Sequence, residues 1–179
     1  MKKIIIIVLC IVGVVAIAYP LMRMYTKMAS PEATAAVNTK DLIATVYYCQ
    51  PSKKGRVIFG SEEEKAVVVY GQLWRTGANE ATEIELSRDV TINGKSLKAG
   101  RYALFTIPEK DKWTIVFNTV LGMWGHFTYD QTKDALRTEV TPTEIDSSLE
   151  LFTIGIKEAK TGADLTLAWD KTQVVVPIR

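Results

Sequence analysis

An all-β antiparallel sandwich of jelly-roll or immunoglobulin-like type, following a single apolar N-terminal helix, is the fold class that the sequence predicts. Three observations predict it. From Leu42 onward apolar residues recur at every second position in short runs, the period at which side chains line one face of a strand. Polar turns separate these runs at roughly the 8–12 residue interval typical of sandwiches. No stretch of useful length in that region has the apolar spacing of a helix, and the apolar leader is confined to the start.

The leader comes first. Lys2 and Lys3 precede an uncharged run from Ile4 to Met22. At about 1.5 Å of rise per residue this run is close to the roughly 20 residues that span a bilayer. It reads as a membrane anchor within residues 1–28. A cleaved signal peptide is the alternative, because Ala16-Ile17-Ala18 has the small-x-small form. Lys2 and Lys3 favour the N-terminus inside, which places the rest of the chain outside the cytoplasm. Cys10 lies within the apolar core, too early for a lipidation site.

Residues 29–41 are small and polar with little periodicity, and are expected to be a flexible stalk. The β-sandwich domain is expected over residues 42–179. "LIATVYY" opens the alternation, and "ATEIEL" sets Ile84 against Glu83 and Glu85. "DVTINGKSL" carries Asn93-Gly94, a hairpin signal because both central residues of a type I′ turn need positive φ. "AGRYALFTIP" and "WTIVFN" follow, then "LRTEV", "LELFTIGIK", "ADLTLAWD" and "TQVVVPI". Trp113, Phe117, Phe105, Phe152 and Trp169 are the expected core, being large apolar groups on alternating strands.

Charge excludes one class of partner. Lys2, Lys3, Arg23 and Lys27 account for four of the 22 basic residues, and the first thirty residues contain no acid. The remainder therefore carries 18 bases against 20 acids, too little positive charge for a nucleic-acid footprint. Cys10 and Cys49 lie in different segments, so the domain is expected to stand without a disulfide, with Cys49 buried.

The chemistry-bearing residues cluster in "YGQLWRTGANEAT", Tyr70 to Thr82. One reading makes this a rigid corner, with Gly77 turning the chain, Asn79 and Thr76 bonding nearby backbone, and Arg75 paired with Glu80. A second reading turns the same groups into a cleft. Arg75 then binds a carboxylate or sugar hydroxyl, Asn79 bonds the ligand, and Trp74 or Trp124 offers a stacking face. A third adds Glu80 as general acid or base. "LGMWGHFTYD", Leu121 to Asp130, is expected to wall this site with Trp124 and His126. His126 is the only histidine in the chain, and one histidine without acidic neighbours does not make a zinc site. No G-x-S-x-G, Walker loop or dinucleotide fingerprint occurs. No cofactor and no metal are expected.

"PSKKGRVIFG", "YGQLWRTGANEAT", "INGKSLKAGRYALFTIP" and "WTIVFN" followed by "WG" resemble the bacterial family called domain of unknown function 2911, over roughly Tyr47 to Ile178. The resemblance implies an exported or anchored, mostly β domain, and it implies no activity and no catalytic residues. The expectation is thus a membrane-tethered, extracytoplasmic module of the bacterial envelope, in the periplasm or outside the cell. It binds a small polar ligand or envelope glycan, or is structural, with Trp74, Arg75, Asn79, Glu80, Trp124 and His126 as the site. A hydrolase using Glu80 and a protein-interaction module are the alternatives.

Overall fold

The computed structural model describes residues 2–179. Helix α1 spans Lys2–Ala29, and the strands follow as β1 Glu32–Asn38, β2 Ile43–Cys49, β3 Phe59–Gly60, β4 Val68–Val69, β5 Thr82–Leu86, β6 Val90–Ile92, β7 Lys95–Leu97, β8 Gly100–Pro108, β9 Trp113–Asn118, β10 Asp134–Val140, β11 Thr143–Glu158 and β12 Ala163–Ile178. A six-stranded sheet runs in the order β1-β2-β5-β8-β9-β10, and a four-stranded sheet in the order β11-β12-β6-β7; β3 and β4 form a separate small pair. Both larger sheets are antiparallel throughout. The all-β architecture after one apolar helix agrees with the alternation in the sequence.

The alternating faces meet in one core. Val46, Ile84, Leu104 and Phe117 from the larger sheet pack with Phe152, Leu165, Trp169 and Val176 from the smaller. A polar tie crosses the layers: the Tyr48 hydroxyl accepts from the Ile154 amide at 3.1 Å. In β12 the large buried side chains are at odd positions in the first half (Leu165, Leu167 and Trp169, with the small Ala168 also buried) and at even positions from Val174 to Ile178. The change of parity falls at Asp170, which has φ +52°, within the irregular stretch of the β11–β12 register. An extra residue in one strand flips every later side chain, so this irregularity keeps both halves of a long strand apolar side in. Asn93 and Gly94 have φ +47° and +75° between the paired residues Ile92 and Lys95, the hairpin that their sequence predicts.

Two findings depart from the sequence reading. The expected flexible stalk contains β1, which pairs along its whole length with β2, from Glu32 opposite Cys49 to Asn38 opposite Ile43. Its inner positions Ala33, Ala35 and Val37 pack on the core. Alanines carry so little apolar area that their alternation gave no visible signal. Phe105 is buried as expected, but on the outer face of β8, in a second cluster with Ala81, Ala103, Val116 and Met123. The segments 70–81 and 119–133 fold over that face. This makes β8 apolar on both sides and brings the two chemistry-bearing loops together.

Helix α1 exposes its apolar side chains; Ile4 to Ile7, Leu9, Val14 and Ile17 are all more than half exposed. It is long and apolar enough to cross a membrane. Its last turn, by contrast, is held against the β domain.

Candidate functional site

The loop at the centre of the site is an excursion from the sheet. Trp74 exchanges two backbone hydrogen bonds with Thr106, at 2.7 and 2.9 Å, and Thr82 pairs with Leu104 of the same strand, β8. Residues 75–81 leave the sheet between these points and return, closed by the Thr82 amide donating to the Arg75 carbonyl at 3.1 Å. The Thr82 hydroxyl also donates to the Thr76 carbonyl at 2.6 Å. Thr76 and Asn79 have φ +53° and +59°. For a β-branched, fully buried residue such as Thr76 this conformation costs about 1–3 kcal/mol. Gly77 has φ +155°, and a Cβ there would lie 3.0 Å from the Cys49 carbonyl oxygen and 3.2 Å from the Thr82 hydroxyl. Gly77→Ala is therefore expected to cost about 1–3 kcal/mol of unfolding free energy, read by chemical denaturation of the full chain in detergent; a change below about 0.5 kcal/mol would show that the corner relaxes freely.

Asn79 and Glu80 receive the end of α1. The Asn79 amide donates to the carbonyls of Thr26 and Ser30, each at 3.2 Å. The Thr26 carbonyl also accepts from the Ser30 amide at 3.0 Å, so Asn79 reinforces the end of the helix and partners the carbonyl just beyond it. Glu80 forms ion pairs with Arg23 and with Lys27, the latter at 3.3 Å. Burial raises the Glu80 pKa, but hydrogen bonds from its own backbone amide, Lys27 and Arg23 outweigh this and hold it below the usual carboxylate range. A lowered folded pKa means that the Glu80 contribution is complete above the unfolded value of about 4.3 and is lost as pH falls through the folded value. Acidification from pH 6 to 3 is expected to release the last turn of α1, and Glu80→Gln to weaken the same contact at pH 7. Trp124 reports it, because the Arg23 guanidinium lies 4.6 Å from its ring centroid; an emission spectrum unchanged in both experiments would refute the contact.

The second loop is zipped to the first. The Gly125 amide donates to the Asn79 carbonyl at 2.9 Å and the Ala81 amide to the Met123 carbonyl at 2.8 Å. Glu83 anchors the far side, accepting from the Gly122 amide at 2.7 Å and from Arg101.

The sequence expects Arg75 to pair with Glu80, and this does not occur. Arg75 is half-buried. Among the described residues its Nε is buried without a hydrogen-bond partner, and burial, unopposed by any nearby carboxylate, lowers its pKa. The guanidinium borders a cleft of about 380 Å³ whose walls include Tyr25, Thr26 and Ser30 of the α1 end, Arg56, Asn79 and His126. No Asp or Glu among the described residues lines it. Arg56 is exposed and donates to the Lys53 and Ser52 carbonyls, so it adds positive charge at the rim while Arg75 is the guanidinium left without a partner. An acid-free cleft with this charge favours an anion.

The expected site residues are thus distributed unevenly. Arg75, Asn79 and His126 border the cleft. Trp74 also lines it, at its floor, but is only 8% exposed, with its indole N–H donated to the Gly77 carbonyl at 3.0 Å. Its ring packs in the core against Phe152, Trp113 and Trp169, so it has no free stacking face. Glu80 borders a neighbouring hollow beside Cys49, and Trp124 lies under Arg23. Cys49 is buried, and burial raises its thiol pKa. Among the described residues no group of three His, Cys, Asp or Glu side chains is placed to hold a metal ion. Sequence reasoning missed Arg56, Tyr25, Thr26 and Ser30 as walls. Arg56 sits in a basic turn that looks purely solvated, and nothing local marks the helix end as part of a cleft.

One family model, described as "Protein of unknown function (DUF2911)", matches residues 30–178. No curated protein and no solved structure matches the chain.

Proposed function

The chain belongs to the DUF2911 family, and from that premise we propose that it is a membrane-tethered, extracytoplasmic module that binds a small anionic ligand through Arg75. One observation carries the reading: a half-buried guanidinium with no counter-ion faces a cleft that contains a second arginine and no acid. An unpaired buried cation is costly in an empty protein. A carboxylate or phosphate on Arg75 removes that cost and gains charge-assisted hydrogen bonds. The left-handed Thr76 beside it fits a site at which the backbone is held strained to place a functional group. The membrane attachment rests on the apolar α1, and the extracytoplasmic placement on Lys2 and Lys3 at its start.

The hydrolase alternative gains nothing from the geometry. Glu80 is ion-paired with two cations and held ionised, which unsuits it as a general acid at neutral pH, and the same lowered pKa makes it a weak general base.

The test is isothermal titration of the full chain in detergent with inorganic phosphate and with citrate. Saturable binding of at least one anion by the wild type, lost in Arg75→Gln with the circular dichroism spectrum unchanged, is the expected result. Binding that survives Arg75→Gln, or no binding of either anion, overturns the reading.

A further inference from the structure

The ligand class follows from where the cleft sits, and this step rests on the anion reading just given. The cleft walls include Tyr25, Thr26 and Ser30, a few residues beyond Met22, where the uncharged run of α1 ends. At about 1.5 Å per residue Thr26 lies roughly 6 Å past the apolar run. The polar layer on each side of a bilayer is about 5–7 Å thick, so a helix that spans the membrane brings the mouth of the cleft to the level of the lipid headgroups.

The neighbouring loop has the chemistry of that level. Trp124 lies against Arg23, the first charged residue after the apolar run. Phe127 is 82% exposed, and Leu121 is also exposed. Phe127 stacks on His126 with ring centroids 5.6 Å apart, and His126 borders the cleft. Aromatic groups between apolar and basic residues are what a membrane–water interface selects. The Glu80 ion pairs to Arg23 and Lys27 keep this arrangement fixed to the helix end, so the anion site and the span move as one unit. Glu80 and Glu32 together neutralise Arg23 and Lys27, the basic residues that flank the span on this side, which leaves Arg75 and Arg56 as the positively charged residues that line the cleft.

We infer that Arg75 receives the phosphate of an anionic phospholipid, with the acyl chains lying along the exposed apolar face of α1 and the 121–127 loop resting at the bilayer surface. The shared chemistry is the anionic phosphate oxygen that a guanidinium binds; a free phosphate lacks the ester-linked headgroup and the acyl chains that α1 would cover.

Native mass spectrometry of the full chain released from micelles, with phosphatidylglycerol or phosphatidylcholine added, reads the assignment directly. The wild type should retain phosphatidylglycerol in preference to phosphatidylcholine, and Arg75→Gln should lose that preference by about tenfold or more. Arg75→Lys should recover part of it, which separates loss of charge from loss of fold. In nanodiscs containing phosphatidylcholine brominated near the headgroup, Trp124 emission should be quenched, with Trp124→Phe removing the quenched component. If inorganic phosphate binds in an Arg75-dependent way while phosphatidylglycerol does not, the lipid assignment falls and the anion reading stands. If neither binds, both fall. Unquenched Trp124 overturns the placement at the bilayer surface and the lipid assignment with it.

Discussion

Replacing Trp74 with alanine is expected to lower the unfolding free energy by about 3–5 kcal/mol, the range for removing a large buried aromatic group. Four aromatic rings surround it: Phe152 at 4.9 Å between centroids, Phe59 at 5.8 Å, Trp169 at 6.0 Å and nearly parallel, and Trp113 at 6.3 Å. The rings come from both sheets and from β3, so little collapse is available to fill the hole. The indole N–H is also lost to the Gly77 carbonyl, which removes the bond that holds the corner of the cleft loop onto the core. Trp74→Phe keeps most of the volume and loses that bond, and should cost roughly 1–2 kcal/mol. Equilibrium denaturation of the full chain in detergent separates the two. A loss below about 1 kcal/mol for the alanine variant would mean that the ring faces solvent and is free to stack on a ligand, which would restore the reading of Trp74 that its sequence context invites.

Arg75→Gln should behave in the opposite way. Without ligand its unfolding free energy should equal or exceed that of the wild type, because a half-buried cation without a counter-charge is replaced by a neutral group of similar reach. With phosphate the order should reverse. A ligand that binds only the folded state stabilises it by about 2.7 kcal/mol at a hundred times its dissociation constant, and the variant should forgo most of this. Affinity should fall by about tenfold to a hundredfold, the worth of one charge-assisted hydrogen-bonding group. A variant that is less stable without anion and shows no change in phosphate affinity would make Arg75 a structural residue. This pairing of gained stability with lost binding is the usual signature of a functional group that the fold tolerates and does not need.

The alternation of Ile84, Leu86 and the residues of β12 made the strands legible, and Asn93-Gly94 made one hairpin legible, because both signals are local. Cys49 and the five expected core aromatics are buried. Phe105 shows the limit of such reasoning. Alternation reports that a side chain is covered but not by what, and its cover turned out to be two loops and not the second sheet. β1 was invisible for a different reason, since alanine and threonine in alternation differ too little in hydropathy to mark a face. At the site, the structure places Arg75, Asn79 and His126 on one cleft and zips the two loops together through Asn79–Gly125 and Ala81–Met123. The partner of each charge was not legible.

By itself the sequence determined which residues are apolar and at what period, and hence a layered β domain behind one long apolar helix. Those properties follow from near neighbours along the chain, where backbone geometry alone sets which side chains share a face. Only the tertiary structure decided that Glu80 pairs with Arg23 and Lys27, that Asn79 caps the helix end, and that Arg75 is left alone in an acid-free cleft. Ion pairs and hydrogen bonds depend on separation in space, and the groups that compete for Glu80 lie more than fifty residues away from it. No local pattern could rank them above Arg75, only five positions distant, until the fold had brought the helix to the loop.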